Sequence, residues 1–230
     1  MTVLASIVVH DARLQFRYGI HAAYGVVTAL YLAFFLLAGP LLPAWVPAVI
    51  IYTDPAVVGF CFLGALMLLE RGEHTRMALA ATPLSAADYV AGKAITLTGL
   101  GLVATLVLAP VVHADANLPL LAITVGLTAL AYIGIGVAFA RRCRTVNAYL
   151  IGSGALLTPL IAPGFLALLP AMPLPLLLVP TAAQLRLTLA ALGAIPTDPL
   201  EIAIGLVVAT VSAIGCLAFA VADLKREFGK

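Results

Sequence analysis

Of 230 residues, 63% are hydrophobic and 10% are charged, with a mean hydropathy of +1.16 and a formal net charge of +2. Soluble domains run nearer ~45–50% apolar and ~25% charged. A water-soluble globule is therefore excluded, and so small a net charge gives no electrostatic basis for binding nucleic acid.

The chain opens with a stretch that carries His10, Asp11, Arg13, Gln15 and Arg17 among apolar residues, which breaks any signal-peptide core. Ser6, His10, Arg13 and Arg17 recur at helical spacing and share a face, while Leu4, Ile7, Val8, Leu14 and Phe16 are apolar. Residues 1–20 therefore read as an interfacial helix lying in the membrane plane, either an inert anchor or a moving lever.

Spanning helices need ~20 mostly apolar residues, and six segments qualify: 21–39, 50–69, 90–112, 118–140, 146–169 and 199–222. Together they predict one all-α integral membrane domain covering residues 1–230. Eleven of the twelve basic residues fall at one end of these spans: Arg13, Arg17, Arg71, Arg76, Lys93, Arg141, Arg142, Arg144, Lys225, Arg226 and Lys230. Basic residues near span ends stay in the cytoplasm, which puts both termini there. Arg186 alone falls on the outer side.

Two outer helix starts share one local pattern, Thr53-Asp54-Pro55 and Thr197-Asp198-Pro199. Asp suits the N-cap and Pro the first helical position, and Glu201 falls where a capping box places its acid. Asp54 reads as a cap, with an ion or substrate role as the alternative. Ser85 and Asp88 form a second start signal at the cytoplasmic side, from which Lys93 can snorkel to the headgroups.

Residues 70–93, ERGEHTRMALAATPLSAADYVAGK, are the longest polar stretch. Glu70, Arg71, Glu73, His74 and Arg76 cluster ahead of a short apolar piece from Met77, and Thr82-Pro83 breaks it. The pattern predicts a span, a short cytoplasmic helix, a turn and the next span, read either as a solvated connection or as a docking surface. Glycine pairs at 99/101, 134/136 and 152/154 suit close helix packing, or flexible gating points.

Segment 170–198 is interrupted by Pro170, Pro173, Pro175 and Pro180, then turns helix-like from Thr181 to Leu192. It is too broken to span. Irregular backbone survives at membrane depth only against protein or a cavity, so a partly re-entrant outer segment is expected, with a surface loop as the alternative. Cys61, Cys143 and Cys216 have no metal spacing and no disulfide placement.

The run from Leu68 to Lys93 resembles a stretch of type-2 ATP-binding cassette exporter permeases. There a glutamate-bearing charged run leads to a TPLS turn and a Gly-Lys pair, matched here by Glu70, Glu73, Thr82, Pro83, Leu84, Ser85, Gly92 and Lys93. Family members often carry Gly-Thr-Leu where this chain has His74-Thr75-Arg76-Met77. Residues 10–24, HDARLQFRYGIHAAY, are similar to the start of actinobacterial permeases for fluoroquinolone export. The resemblance implies an elbow helix over residues 3–18 carrying His10, Arg13 and Arg17. It also implies a coupling helix within 71–82 that docks an ATPase subunit through Arg71, Glu73, His74, Arg76, Met77, Thr82 and Pro83. The implied assembly is two permease copies, or sister permeases, with two ATPase subunits in the cell membrane. Antibiotic efflux is the implied activity, with Asp54 and Arg186 as pathway or outer-gate candidates.

The chain itself has no P-loop: Gly92-Lys93 is followed by Ala94, with Ala87 where the first glycine would be, and Gly229-Lys230 has Leu224 at that place. ATP and Mg would then sit on a separate subunit, and no cofactor or metal is expected here. HExxH is absent, and the histidines stand at span ends or loops, away from Ser153 and Ser212, which argues against an intramembrane hydrolase. Mid-span charge is scarce, so an ion-coupled carrier would have to use Asp54. Such a pathway suits hydrophobic or amphipathic cargo, including a lipid or an endogenous metabolite as well as a drug. Tyr24, Tyr31, Tyr132, Tyr149, Phe60 and Phe62 either line it or pack between helices.

Overall fold

Apolar segments of this length have only one way to satisfy their backbone in lipid, which is to close hydrogen bonds within each helix. A computed structural model describes residues 3–73, 84–170, 172–196 and 198–228, and no strand occurs among them. The amphipathic opening is α1, Val3–Arg17. Among the described residues six helices are long and apolar enough to span: α2 Ile20–Ala38, α3 Trp45–Gly72, α4 Ala86–Val112, α5 Leu118–Arg142, α6 Val146–Leu168 and α8 Pro199–Lys225, the last continuing helically to Phe228. The chain is a multi-pass membrane protein. The broken segment folds as a 3-10 turn, Leu174–Leu178, and a short helix α7, Pro180–Ala191.

Chain direction alternates, so one end of the bundle gathers α1, the end of α3, the start of α4, the α5–α6 connection and the end of α8. Arg13, Arg17, Arg71, Lys93, Arg141, Arg142 and Arg144 lie at this end, called the basic end below, whereas Arg186 lies at the other. α3 and α5 are the most enclosed spans, whereas α2, α6 and α8 turn most of their apolar residues outward. Exposed Leu30 and Leu37 on α2, Ile151 on α6 and Val207 and Val211 on α8 are the surface that lipid or another subunit must cover.

α5 and α8 pack closely because Gly134 leaves room for the other backbone. A Cβ there would stand 2.5 Å from the Cys216 carbonyl carbon. Arg141 locks the same pair at the basic end, reaching Asp223 Oδ1 at 2.7 Å. Tyr149 of α6 is fully buried, stacks on Phe60 and donates to the Phe60 carbonyl at 2.6 Å. That aromatic therefore packs between helices.

α3 begins at Trp45, ahead of the expected start at residue 50. The cap reading of Asp54 is overturned: Asp54 lies within the helix, about 14 Å along the axis from Trp45. The cause is upstream. Val46 to Tyr52 is uninterrupted helix, so Asp54 meets no free helix terminus. Pro55 has no N–H for the carbonyl one turn back, and the helix relaxes into a π-turn at Val58–Phe62 before resuming at Leu63. At the sister sequence the chain breaks first: Gly193, with φ 66°, follows the end of α7, and Ala194 N–H closes onto Leu189 O at 2.9 Å. Asp198 then caps α8, its carboxylate accepting the Leu200 N–H at 3.1 Å. The expected capping box does not extend to Glu201, whose carboxylate accepts from Arg186 instead.

α7 is the buried element of the broken segment. Ala182 to Leu189 are all buried, and the helix packs against α3, α5, α8 and the end of α6 at the end opposite α1.

Candidate functional site

At the basic end, α1, α3 and α4 converge on a cluster of charge with almost no access to solvent. Lys93, 0% exposed, reaches Glu70 Oε1 at 2.5 Å and Asp11 Oδ1 at 3.2 Å, and both carboxylates are 1% exposed. Tyr89 donates its phenol to Glu70 Oε2 at 2.5 Å, and the Lys93 ammonium lies 4.6 Å from the Tyr89 ring centre.

Local sequence builds each contribution. Ser85 caps α4 in a capping box: its Oγ accepts the Asp88 N–H at 3.1 Å while Asp88 Oδ2 accepts the Ser85 N–H at 3.3 Å. The cap fixes where α4 starts, and Lys93 then falls about 12 Å inside. Glu70 sits on the last turn of α3. On α1 the buried face is Ile7, Asp11, Leu14 and Gln15, so Asp11 sits with the apolar residues, while Ser6, Arg13 and Arg17 are exposed and His10 is half-buried. Gln15 adds a hydrogen bond to Thr96 Oγ1 at 2.7 Å.

Gly92 explains how α1 comes so near. A Cβ at that position would stand 3.0 Å from Ile7 Cγ2 and 3.1 Å from Asp11 Oδ2. The Gly-Lys pair thus has two jobs, a gap that seats α1 and a cation that neutralises it. The expectation that Lys93 snorkels to the headgroups is overturned, because leaving would strand two buried carboxylates.

The charges do not balance. One ammonium faces two carboxylates, and Asp11 Oδ2 has no hydrogen-bond partner. Burial drives the Asp11 carboxyl above its ordinary pKa; Lys93 pulls it down, the Glu70 charge pushes it up, and the net direction is upward. Asp11 in its protonated form leaves the cluster neutral.

Other expected residues fall elsewhere. Arg71 donates to the Cys143 carbonyl at 3.2 Å, tying the end of α3 to the α5–α6 turn. Glu73 closes α3, its N–H bonded to Leu69 O at 3.0 Å. His74, Arg76, Met77, Thr82 and Pro83 lie outside the described residues, which end at Glu73 and resume at Leu84. Asp54 is 8% exposed and accepts from the Tyr24 hydroxyl of α2. Arg186 is also buried. Its Nε reaches Glu201 Oε2 at 3.1 Å, and Nη1 reaches the carbonyls of Ala167 and Leu169 at 3.2 and 3.4 Å. It binds α7 to α8 and to the tail of α6, whose 3-10 backbone leaves those carbonyls open. The cysteines are free and half-buried, and no metal-ligating group of three occurs among the described residues.

The sequence reading missed Asp11 as a buried group. Its signal was its place on the apolar face of α1, at positions 7, 11, 14 and 15, off the basic stripe.

The chain is 30% identical over 165 residues to the fluoroquinolones export permease proteins of two Mycobacterium tuberculosis strains, an alignment covering 70% of this chain and 69% of each relative. No protein-family model matches the chain, and no solved structure does.

Proposed function

Since the chain belongs to the family of these export permeases, we propose that it is the membrane-spanning subunit of an ATP-driven exporter in the cell membrane. In this reading residues 71–82 dock an ATP-binding cassette ATPase, both termini face the cytoplasm, and a second copy or a sister permease completes the pathway. Cargo is hydrophobic or amphipathic, with fluoroquinolones as the first class to test.

One observation carries the reading. The Asp11–Lys93–Glu70 cluster joins α1 to both helices that bracket residues 74–83. A push on that connection by a soluble motor would move the end of α3, the start of α4 and α1 together, because separating them exposes unpaired charge in a dry site. The ATPase would favour one arrangement by binding it more tightly in its ATP state. The outward-facing apolar surface of α2, α6 and α8 supports a second permease in the assembly.

Co-expression with a neighbouring ATP-binding cassette ATPase tests this. The wild-type permease is expected to retain the ATPase through purification, and scrambling residues 71–82 to release it. An ATPase that fails to bind, or binds the scrambled chain equally, refutes the docking assignment.

Asp54 favours one second reading, an ion-coupled carrier. It is a buried carboxyl inside a span, and its recorded hydrogen-bond partner is the Tyr24 phenol rather than a cation. The two readings separate on Asp54→Asn in proteoliposomes. Uptake that depends on a proton or sodium gradient and vanishes in the folded variant supports the carrier; ATP-dependent uptake that ignores the gradient supports the exporter.

A further inference from the structure

A cavity of about 320 Å³ lies among α5, the Pro159–Pro163 break of α6, the start of α7 and α8. Its wall is mostly apolar, with Tyr132, Pro159, Pro163, Thr181, Gln184 and Cys216 among the lining residues. Its volume falls in the range of small-molecule sites, ~300–1,000 Å³.

Two independent observations mark it as a built site. Gln184 is 1% exposed, yet its Oε1 has no hydrogen-bond partner. A buried amide oxygen left unpaired costs about 1–3 kcal/mol, and Gln184 also lines the cavity, where an occupant can supply the missing donor. The second observation is the backbone. α7 begins at Pro180 without a side-chain cap, and its first internal bond is Ala183 N–H to Val179 O at 3.0 Å. The N–H groups of Thr181 and Ala182 precede that bond, so the positive end of α7 opens one turn from Gln184. The α6 helix breaks on the facing wall, and non-helical backbone at membrane depth belongs beside protein or a cavity.

We propose that this cavity binds a small amphipathic molecule. Its apolar body packs on the prolines and Tyr132. An N–H or O–H of the ligand donates to Gln184 Oε1, and a carbonyl or carboxylate oxygen sits at the first turn of α7. Calling this ligand cargo rests on the exporter reading; the binding itself does not.

Norfloxacin is the probe, since it joins an aromatic body to a carboxylate, a ketone and an amine donor, and its own fluorescence reports binding. The full chain is purified alone into nanodiscs of phosphatidylethanolamine and phosphatidylglycerol. Without an ATPase present, failure here leaves the docking assignment untouched, and the converse holds. Cys216 lines the cavity and Cys143 does not, so N-ethylmaleimide labelling read by mass spectrometry locates the ligand. Norfloxacin is expected to bind saturably and to protect Cys216 but not Cys143. Gln184→Leu is expected to weaken binding about tenfold or more, and Ile135→Trp, which fills the cavity from another helix, to abolish protection. Equal labelling of Cys216 with and without norfloxacin overturns the proposal. So does undiminished affinity in Gln184→Leu, or a Cys216 that stays unlabelled before any norfloxacin is added, which would mean that the cavity admits no small solute. Should Gln184→Leu fail to fold, the wild-type labelling and Ile135→Trp decide the matter alone.

Discussion

Replacing Lys93 with Met keeps the length and apolar volume of the side chain and removes only its charge and donors. The ammonium is fully buried and serves Glu70 at 2.5 Å and Asp11 at 3.2 Å. After the change, two carboxylates share a dry site. Removing one partner of a buried pair typically costs about 3–5 kcal/mol, and protonation of Asp11 would bring the loss toward the lower figure. Glu70→Gln in the same protein removes one of the stranded charges, so the double variant should recover part of the stability. A coupling energy of about 1–3 kcal/mol is expected from the cycle. The measurement is reversible unfolding in mixed micelles, followed by far-UV circular dichroism for the wild type, both single variants and the double. A Lys93→Met protein within about 1 kcal/mol of wild type would refute the claim that this cluster holds α1 to α3 and α4, as would a coupling energy near zero.

Asp11→Asn tests the charge count. The folded protein raises the Asp11 pKa above its ordinary 3.8, so it keeps a proton that the unfolded chain has released, and the stability owed to Asp11 falls as pH climbs from about 4 toward the folded value. The melting temperature of Asp11→Asn minus that of wild type should therefore grow across that window; a difference that shrinks contradicts the assignment. Gly92→Leu should lift α1 from α4 and raise amide hydrogen exchange across residues 3–17 while the spans stay protected. Gly134→Leu meets the Cys216 backbone at 2.5 Å and should destabilise by several kcal/mol or prevent folding, read as loss of the monodisperse peak in detergent. Arg186→Met leaves Glu201 without its partner and is expected to cost about 2–4 kcal/mol, while Arg186→Met with Glu201→Leu recovers much of it; equal losses in the two proteins would show that the pair does not hold α7.

The spans were legible because bilayer thickness imposes a length and a composition that any window of the sequence reveals. The α4 start was legible for the same reason: Ser85 and Asp88 are three residues apart, and their exchange of hydrogen bonds is local. Asp54 was misread because a cap motif only caps where the preceding chain has stopped being helix. Gly193 supplies such a stop before Asp198, and nothing between Trp45 and Tyr52 supplies one before Asp54. The charge cluster was harder still. Its pairs are separated by 23 and 82 residues, and no local period links an acid on an interfacial helix to a lysine at the start of the third span. Arg186 reads in sequence only as the one basic residue on the outer side; besides Glu201, its partners are carbonyls freed only when the tail of α6 turns 3-10.

The same separations imply an order of events as the chain is made. α1 emerges first and carries Asp11, but the lysine that can neutralise it does not yet exist. Glu70 and Lys93 meet by closing the short α3–α4 hairpin, whereas Asp11 must close the longer loop. The hairpin therefore becomes electrically self-sufficient before the opening helix attaches. Until then α1 waits at the headgroups on its own amphipathic merits, with its acid in water. What joins last, through Asp11 to Lys93, Gln15 to Thr96 and a glycine-sized gap, completes the unit that a push on the α3–α4 connection would move as one.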